Sequence, residues 1–306
     1  MDQNGAPIRV GLLGLGTVGA GVARVLQGKN KSLDRRLGRS IELTRVLVRD
    51  PNKGRAVSVP SALLTTDASD VIDSPDIDLV VEVLGGVDPA FDYVCQSLRN
   101  GKHVITANKE LMAHHGLELL KVAQGYGRDL FFEASVGGGI PLIGPFRQDL
   151  AANEITEIHA IINGTTNYIL TRMAEDGVDF NEALEEAKQK GYAEPDPTND
   201  IDGNDSAYKL SILASLAFGG PVPPESVYKE GIRELSTIDF DYARELGYTV
   251  KLLATSKRDA DGVEVRVHPA LVTRDYLLSQ VSGVENAVRI KGDLLGHAVF
   301  AGRGAG

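Results

Sequence analysis

The sequence predicts an α/β protein in two parts: a doubly wound parallel sheet, then a second, α+β domain built on a mixed sheet. Three observations carry this. A short apolar run near the N-terminus ends in Gly14-x-Gly16-x-x-Gly19 and passes into a helical pattern. Brief apolar runs then alternate with helical segments as far as Glu133, as parallel strands joined by crossover helices require. From about Ile140 the pattern changes, and stretches such as 263–268 and 287–292 carry apolar side chains at alternate positions. The expected division is a dinucleotide-binding domain over 1–139, a substrate-binding and dimerisation domain over 140–300, and the start of a return segment at 301–306.

Ile8–Leu13 reads as a buried parallel strand. The glycines after it have separate uses. One permits a tight turn, one lets a pyrophosphate approach the backbone, and one lets helix and strand pack closely. The helix that follows turns its free N–H groups toward the phosphates. In this context GxGxxG predicts a Rossmann-type dinucleotide site of Gly14, Gly16, Thr17, Val18 and Gly19. A polar insert at 28–40, with five basic residues, reads as a solvated loop. It delays the strand Ile41–Val48, so Asp50 falls 31 residues past Gly19 rather than about 20. Asp50 suits a free ribose 2′-hydroxyl, whereas Arg49, with Lys53 and Arg55, suits a 2′-phosphate. NAD and NADP both stay open, with the basic cluster tilting toward NADP.

Further strands are expected at Ile77–Leu84, His103–Thr106 and Leu130–Glu133, with helices over 87–99 and 109–125. Ligands bind at the carboxyl ends of strands in open α/β sheets. Two such ends are chemically loaded here, Gly85-Gly86 and Thr106-Ala-Asn-Lys109. Lys109 is either a group facing the nicotinamide or an exposed first-turn lysine, mildly unfavourable against the helix dipole.

The chain has 306 residues, 42% hydrophobic and 24% charged, enough for two cores. Its formal net charge of −10 argues against nucleic acid or an anionic membrane as the main partner. No apolar run approaches a membrane span. Cys95 stands alone, which excludes an intrachain disulfide and points to a reducing cytoplasm. It reads as a packed helical residue.

In the second half, Glu133-Ala-Ser-Val-Gly-Gly-Gly-Ile-Pro141 is a crossing segment, read as a flexible hinge or an oxygen-only cation site. A strand at 155–162 leads into Asn163-Gly-Thr-Thr-Asn167 and a helix to about Glu175, and another helix spans 181–190. Then Glu194, Asp196, Asp200, Asp202 and Asp205 place five carboxylates in twelve residues. Pro195 and Pro197 keep that segment out of a helix. Asp205 is expected to N-cap the next helix, with Lys209 one turn on. So many carboxylates repel one another unless a lysine, a metal or a substrate ammonium neutralises them. The EF-hand spacing fails, because its twelfth position would be Lys209.

Ala187, Gly191, Tyr192, Ala193, Asp196, Pro197, Asp200, Ile201, Gly203, Asp205 and Lys209 fall on one long signature. With it stand the glycine turn, Thr106–Lys109, Glu133–Gly137 and Asn163–Asn167, in order. In these motifs the chain resembles the homoserine dehydrogenases over essentially its whole length. The resemblance implies reversible NAD(P)H-dependent reduction of L-aspartate 4-semialdehyde to L-homoserine. It implies that Lys209 donates the proton to the substrate oxygen and that Lys109 is a second active-site lysine. Glu194 and Asp205 would hold the substrate amine or orient the lysines, with Asp200, Gly191 and Thr165 in the same site. Arg49, Gly85, Thr106 and Lys109 would join the glycine turn around NADP or NAD. Glu133 and the carbonyls of Val136, Gly138 and Ile140 would bind a sodium ion.

The resemblance also points to a homodimer. The family's glycine run continues into a returning helix and, in many bacterial members, a regulatory ACT domain. A chain ending at Gly306 is expected to be a truncated form. The residues alone leave open another oxidoreductase of amino-acid semialdehydes, or a dinucleotide-binding module without catalysis.

Overall fold

A computed structural model describes residues 5–28 and 30–304, in two compact units that divide between Phe132 and Glu133.

The first unit opens with β1 (Ile8–Leu13), α1 (Thr17–Gly28), α2 (Asn30–Leu37), β2 (Ile41–Leu47), β3 (Leu64–Thr65) and α3 (Ser69–Ile72). It continues with β4 (Leu79–Glu82), α4 (Ala90–Arg99), β5 (His103–Thr106), α5 (Lys109–Gly125) and β6 (Leu130–Phe131). The strands are parallel, in the order β3-β2-β1-β4-β5-β6. That order reverses direction at β1 and β4, which puts a topological switch point beside Leu13 and Glu82. Val10, Leu12, Ala23, Val46 and Val81 form the core on one face. Each large aliphatic group there contributes roughly 1.5–3 kcal/mol by burial.

The polar insert proves to be helical over Asn30–Leu37, not a solvated loop. Charged residues are acceptable helix formers, and Leu33 packs onto the β1–α1 core. The strands expected at 77–84 and 130–133 are shorter, at Leu79–Glu82 and Leu130–Phe131.

The second unit holds α6 (Ile143–Arg147), β7 (Ile155–Ile161), α7 (Gly164–Asp176), α8 (Phe180–Gln189), α9 (Thr198–Ile201) and α10 (Asn204–Phe218). After them come β8 (Tyr228–Lys229), α11 (Thr237–Glu245), β9 (Tyr248–Asp259), β10 (Gly262–Thr273), β11 (Glu285–Gly292) and β12 (Gly296–Arg303). Its sheet runs β12-β11-β7-β9-β10-β8 and is mixed: β8 is parallel to β10 and the other pairs are antiparallel. The segment around Phe300 therefore lies in β12; residues 305 and 306, the tail of the expected return segment, lie outside the described residues.

Two local readings are corrected. Pro195 and Pro197 do not keep the acidic segment free of helix, because Pro197 stands at the N-cap of the short α9. Proline lacks only a donor that a helix start does not use. Nor does Asp205 cap α10. Gly203 takes the N-cap with φ +81, a left-handed backbone that glycine adopts without strain, and Asp205 falls in the first turn, buried. Among the described residues no helix is long and apolar enough to cross a membrane.

Candidate active site

In the first unit the glycine turn has the geometry its sequence requires. Gly14 has φ +104, and a Cβ there would stand 2.9 Å from the Val83 carbonyl oxygen. A Cβ on Gly19 would meet the Gly14 carbonyl oxygen at 2.2 Å, so glycine is what allows α1 to press onto the end of β1. At Gly16 the space a Cβ would take is empty to 4 Å. Gly16, Thr17 and Val18 are all exposed there, at the start of α1. The turn thus offers an open cradle beneath unpaired first-turn N–H groups, which fits a pyrophosphate.

Arg49 and Asp50 lie exposed just past β2. The Asp50 carboxylate accepts from Asn52 N at 2.8 Å, and the Arg55 guanidinium folds back onto the carbonyls of Asp50 and Lys53. Of the basic cluster weighed for a 2′-phosphate, Arg55 is therefore engaged with its own loop.

The buried carboxylate of Glu82 was not anticipated. It ends β4 with no exposure and accepts from Thr106 Oγ1 at 2.5 Å, from Leu84 N at 2.7 Å and from Asn108 Nδ2 at 3.5 Å. Asn108 also donates to the Gly86 carbonyl at 2.6 Å, while its Oδ1 caps α5 by accepting from Leu111 N. Glu82 thereby ties the left-handed Gly85-Gly86 corner to Thr106 and to the start of α5, where Lys109 is the first residue. The signal was visible as one acid inside the apolar stretch Leu79–Leu84, but its partners are remote in sequence.

In the second unit the five acidic residues separate by role. Asp196 accepts from Thr198 N, and Asp202 pairs with Arg233 at 2.5 Å. Glu194 is exposed, just after Gly191, whose φ is +74. Only Asp200 and Asp205 turn inward, and both meet Asn163: its Nδ2 donates to Asp200 Oδ1 at 2.7 Å and to Asp205 Oδ2 at 2.9 Å. Lys209 Nζ pairs with Asp205 Oδ2 at 2.7 Å and donates to the Ile162 carbonyl at 2.8 Å. The lysine side chain is 15% exposed and that of Asp205 3%, so this is a desolvated pair rather than a surface salt bridge. Burial, and next the Asp205 charge, push the Asp200 carboxyl above its ordinary value, against the pull of Asn163 and Lys209.

The loop carrying Glu194 is anchored from behind. Thr165 Oγ1 donates to the Tyr192 carbonyl at 2.6 Å, and the Tyr192 ring packs edge-on against Tyr168 at 5.0 Å. Lys190 donates to Tyr168 Oη and pairs with Glu186, whose carboxyl is held down to about 2 by Lys190 and Arg172. Thr165 therefore acts here on the backbone of Tyr192 and on the Asp200 carboxylate.

Glu133 opens the second unit. Its Oε1 accepts from Leu142 N at 2.6 Å and Ile143 N at 2.8 Å, and its Oε2 accepts from Gly144 N at 2.8 Å. Val136 and Ile140 are buried around the left-handed Gly137 and Gly138. The carboxylate holds the start of α6, and one lone pair on Oε2 remains for another partner.

The family model described as "Homoserine dehydrogenase, NAD binding domain" matches residues 14–133, and "Homoserine dehydrogenase" matches residues 141–306. A homoserine dehydrogenase of Synechocystis sp. is 46% identical over 98% of this chain and 70% of its own. A crystal structure of a homoserine dehydrogenase from Thiobacillus denitrificans superposes with a TM-score of 0.93 at 48% identity, covering 99% of this chain and 70% of that one. A hyperthermophilic archaeal homoserine dehydrogenase in complex with NADPH gives 0.82 at 28% identity, over 98% and 92% of the two chains.

Proposed function

The chain belongs to the homoserine dehydrogenase family, NAD-binding domain included, and from that premise we propose how its own residues carry the reaction. It is an NAD(P)-dependent oxidoreductase. The substrate pair is L-aspartate 4-semialdehyde and L-homoserine, in the aspartate route to threonine, methionine and isoleucine.

The cofactor, when bound, supplies or accepts the hydride. Gly14, Gly16, Thr17, Val18 and Gly19 would hold its pyrophosphate, with Arg49 and Gly85 along the same sheet edge; Thr106, expected beside them, is fully buried with its hydroxyl on Glu82 and serves only to hold that corner. Adding hydride to the aldehyde carbon leaves an alkoxide, which needs a proton. Lys209 provides it. Two of its ammonium N–H groups point to Asp205 and to the Ile162 carbonyl, and the third serves the substrate oxygen. Asp205 keeps the ammonium in place, and Asp200 and Glu194 take the substrate α-ammonium. Lys109, held at the start of α5 by the Asn108 cap, is the second active-site lysine.

The observation that carries this reading is the buried Asp205–Lys209 pair. Its test is NADPH and NADH oxidation by the purified 306-residue chain with aspartate semialdehyde. Oxidation that depends on substrate, with one cofactor preferred, is expected. No turnover with either cofactor would reject the reading.

Two further assignments belong with it. A sodium ion at Glu133 and the carbonyls of Val136, Gly138 and Ile140 would use the remaining Oε2 lone pair, and thermal stability should then be higher in sodium chloride than in choline chloride. We also propose a cytoplasmic homodimer through the second sheet. Leu271 on β10 and Val299 on β12 stay exposed there, and a symmetric partner would cover them. Light scattering should give twice 32.7 kDa; a monomer mass rejects the dimer.

A further inference from the structure

Residues 162 and 163, just past β7, touch every charged group of the Lys209 cluster. The Ile162 carbonyl accepts from Lys209 Nζ. The Asn163 side chain, buried, donates to both Asp200 and Asp205. Its orientation is determined by chemistry. Oδ1 accepts from Thr166 N at 2.8 Å and from Thr166 Oγ1 at 3.0 Å, and a backbone N–H can meet only the oxygen end. Nδ2 must therefore face the carboxylates, and its two hydrogens match the two acceptors.

We propose that Asn163 is a positioning residue for proton transfer: its carboxamide clamps Asp200 and Asp205 at a fixed separation and so aims Lys209 at the substrate oxygen. The argument rests on the assignment of Lys209 made above. Asp205 Oδ2 is the shared atom, receiving Lys209 at 2.7 Å and Asn163 at 2.9 Å. The amide is the one group here seen to donate to both acids, and removing it breaks the link that sets their separation. The raised carboxyl of Asp200 fits an arrangement in which one shared amide bridges two acids that repel each other.

The competing account is that Asn163 only caps α7. Capping and clamping can be separated, because Ser and Asp both cap helices well, whereas Ser cannot span two carboxylates and ionised Asp has no proton to donate. We therefore choose Asn163→Ser and Asn163→Asp in the 306-residue chain, assayed with NADPH and aspartate semialdehyde across pH. In Asn163→Ser, kcat should fall about 10- to 100-fold, the loss expected of hydrogen bonds to charged groups. The melting temperature should stay near wild type and KM should change less than kcat. In Asn163→Asp the loss should be larger, and the acid limb of the pH profile should move to higher pH. A 13C titration of the Asp200 carboxyl, which needs no turnover, should move upward in Asn163→Asp.

Wild-type kcat and an unchanged pH profile in both variants overturn the proposal. So does a variant that only melts earlier, which leaves Asn163 a cap. If the wild-type chain has no activity, the functional reading fails by itself. The Asp200 titration then decides about Asn163, and an unmoved carboxyl in Asn163→Asp rejects the clamp.

Discussion

Replacing Lys251 by Met should make the chain's stability less dependent on pH. Lys251 lies on β9, 4% exposed, with Nζ donating to the Val281 carbonyl at 2.7 Å and to Asn167 Oδ1 at 3.4 Å. No carboxylate touches the ammonium in these contacts. Burial pushes its pKa from 10.5 down to about 8, with Glu175 pulling weakly the other way. A lysine whose folded pKa is lowered binds fewer protons folded than unfolded between about pH 8 and 10.5, so stability rises with pH across that window. Below pH 8 the folded state carries the full cost, about 3 kcal/mol for a shift of this size. Between pH 7 and 9 roughly 1 kcal/mol of it should be recovered. Methionine has similar length and no charge. It removes the titration, and Asn167 Nδ2 still donates to the Val281 carbonyl at 3.1 Å. Urea denaturation of both proteins at pH 7 and 9 measures the difference. The wild-type chain should gain on the Met variant by about that amount as pH rises. Parallel pH dependence in the two proteins would show that Lys251 titrates normally and would refute the reasoning.

Other outcomes follow from the site. Lys209→Ala should lower turnover by about two to four orders of magnitude, the usual weight of a positioned acid. Dinucleotide affinity, assigned to the first unit, should persist in a fluorescence titration with NADH or NADPH; near-normal turnover would remove Lys209 from its role. Gly19→Ala puts a methyl 2.2 Å from the Gly14 carbonyl oxygen, so dinucleotide affinity and melting temperature should both drop, and normal binding of NADH or NADPH would contradict the close-packing argument. Glu194→Gln should mainly raise KM for homoserine, since the exposed acid is assigned to the substrate ammonium. A loss of kcat at constant KM would assign it elsewhere.

Much of this was legible in the sequence because it was local. The Gly14–Gly19 turn, β5 at His103–Thr106 and α5 at Lys109–Gly125 follow from glycine spacing, apolar runs and a helical period over short stretches. The Asp205–Lys209 pair was legible because i and i+4 are neighbours on any helix. Other features depend on partners far along the chain. Glu82 is a tolerable acid in β4 only because Thr106 and Asn108 meet it from another strand and helix. Asn163 reads as an ordinary cap until the structure brings Asp200 and Asp205 to its amide. The helix at 30–37 went unread because its charges suggested solvent, although Leu33 needed only one apolar neighbour face. β12 went unread because glycines at 296 and 302 disguised a strand whose hydrogen bonds come from β11.

Asn163 is followed by Gly164, and that pair has a limited chemical lifetime. In an open chain the glycine nitrogen attacks the asparagine side-chain carbonyl, ammonia leaves, and hydrolysis of the ring yields a carboxylate. Here the carboxamide is held by Thr166, Asp200 and Asp205, so attack must wait until the start of α7 opens locally. Substituting the glycine carries a cost of its own, because a Cβ at Gly164 would stand 3.0 Å from the Val284 carbonyl oxygen. Deamidation at Asn163 is therefore timed by the fraying of one helix end. A stored preparation should lose activity in step with deamidation at this residue, slowly while folded and quickly once urea has opened α7.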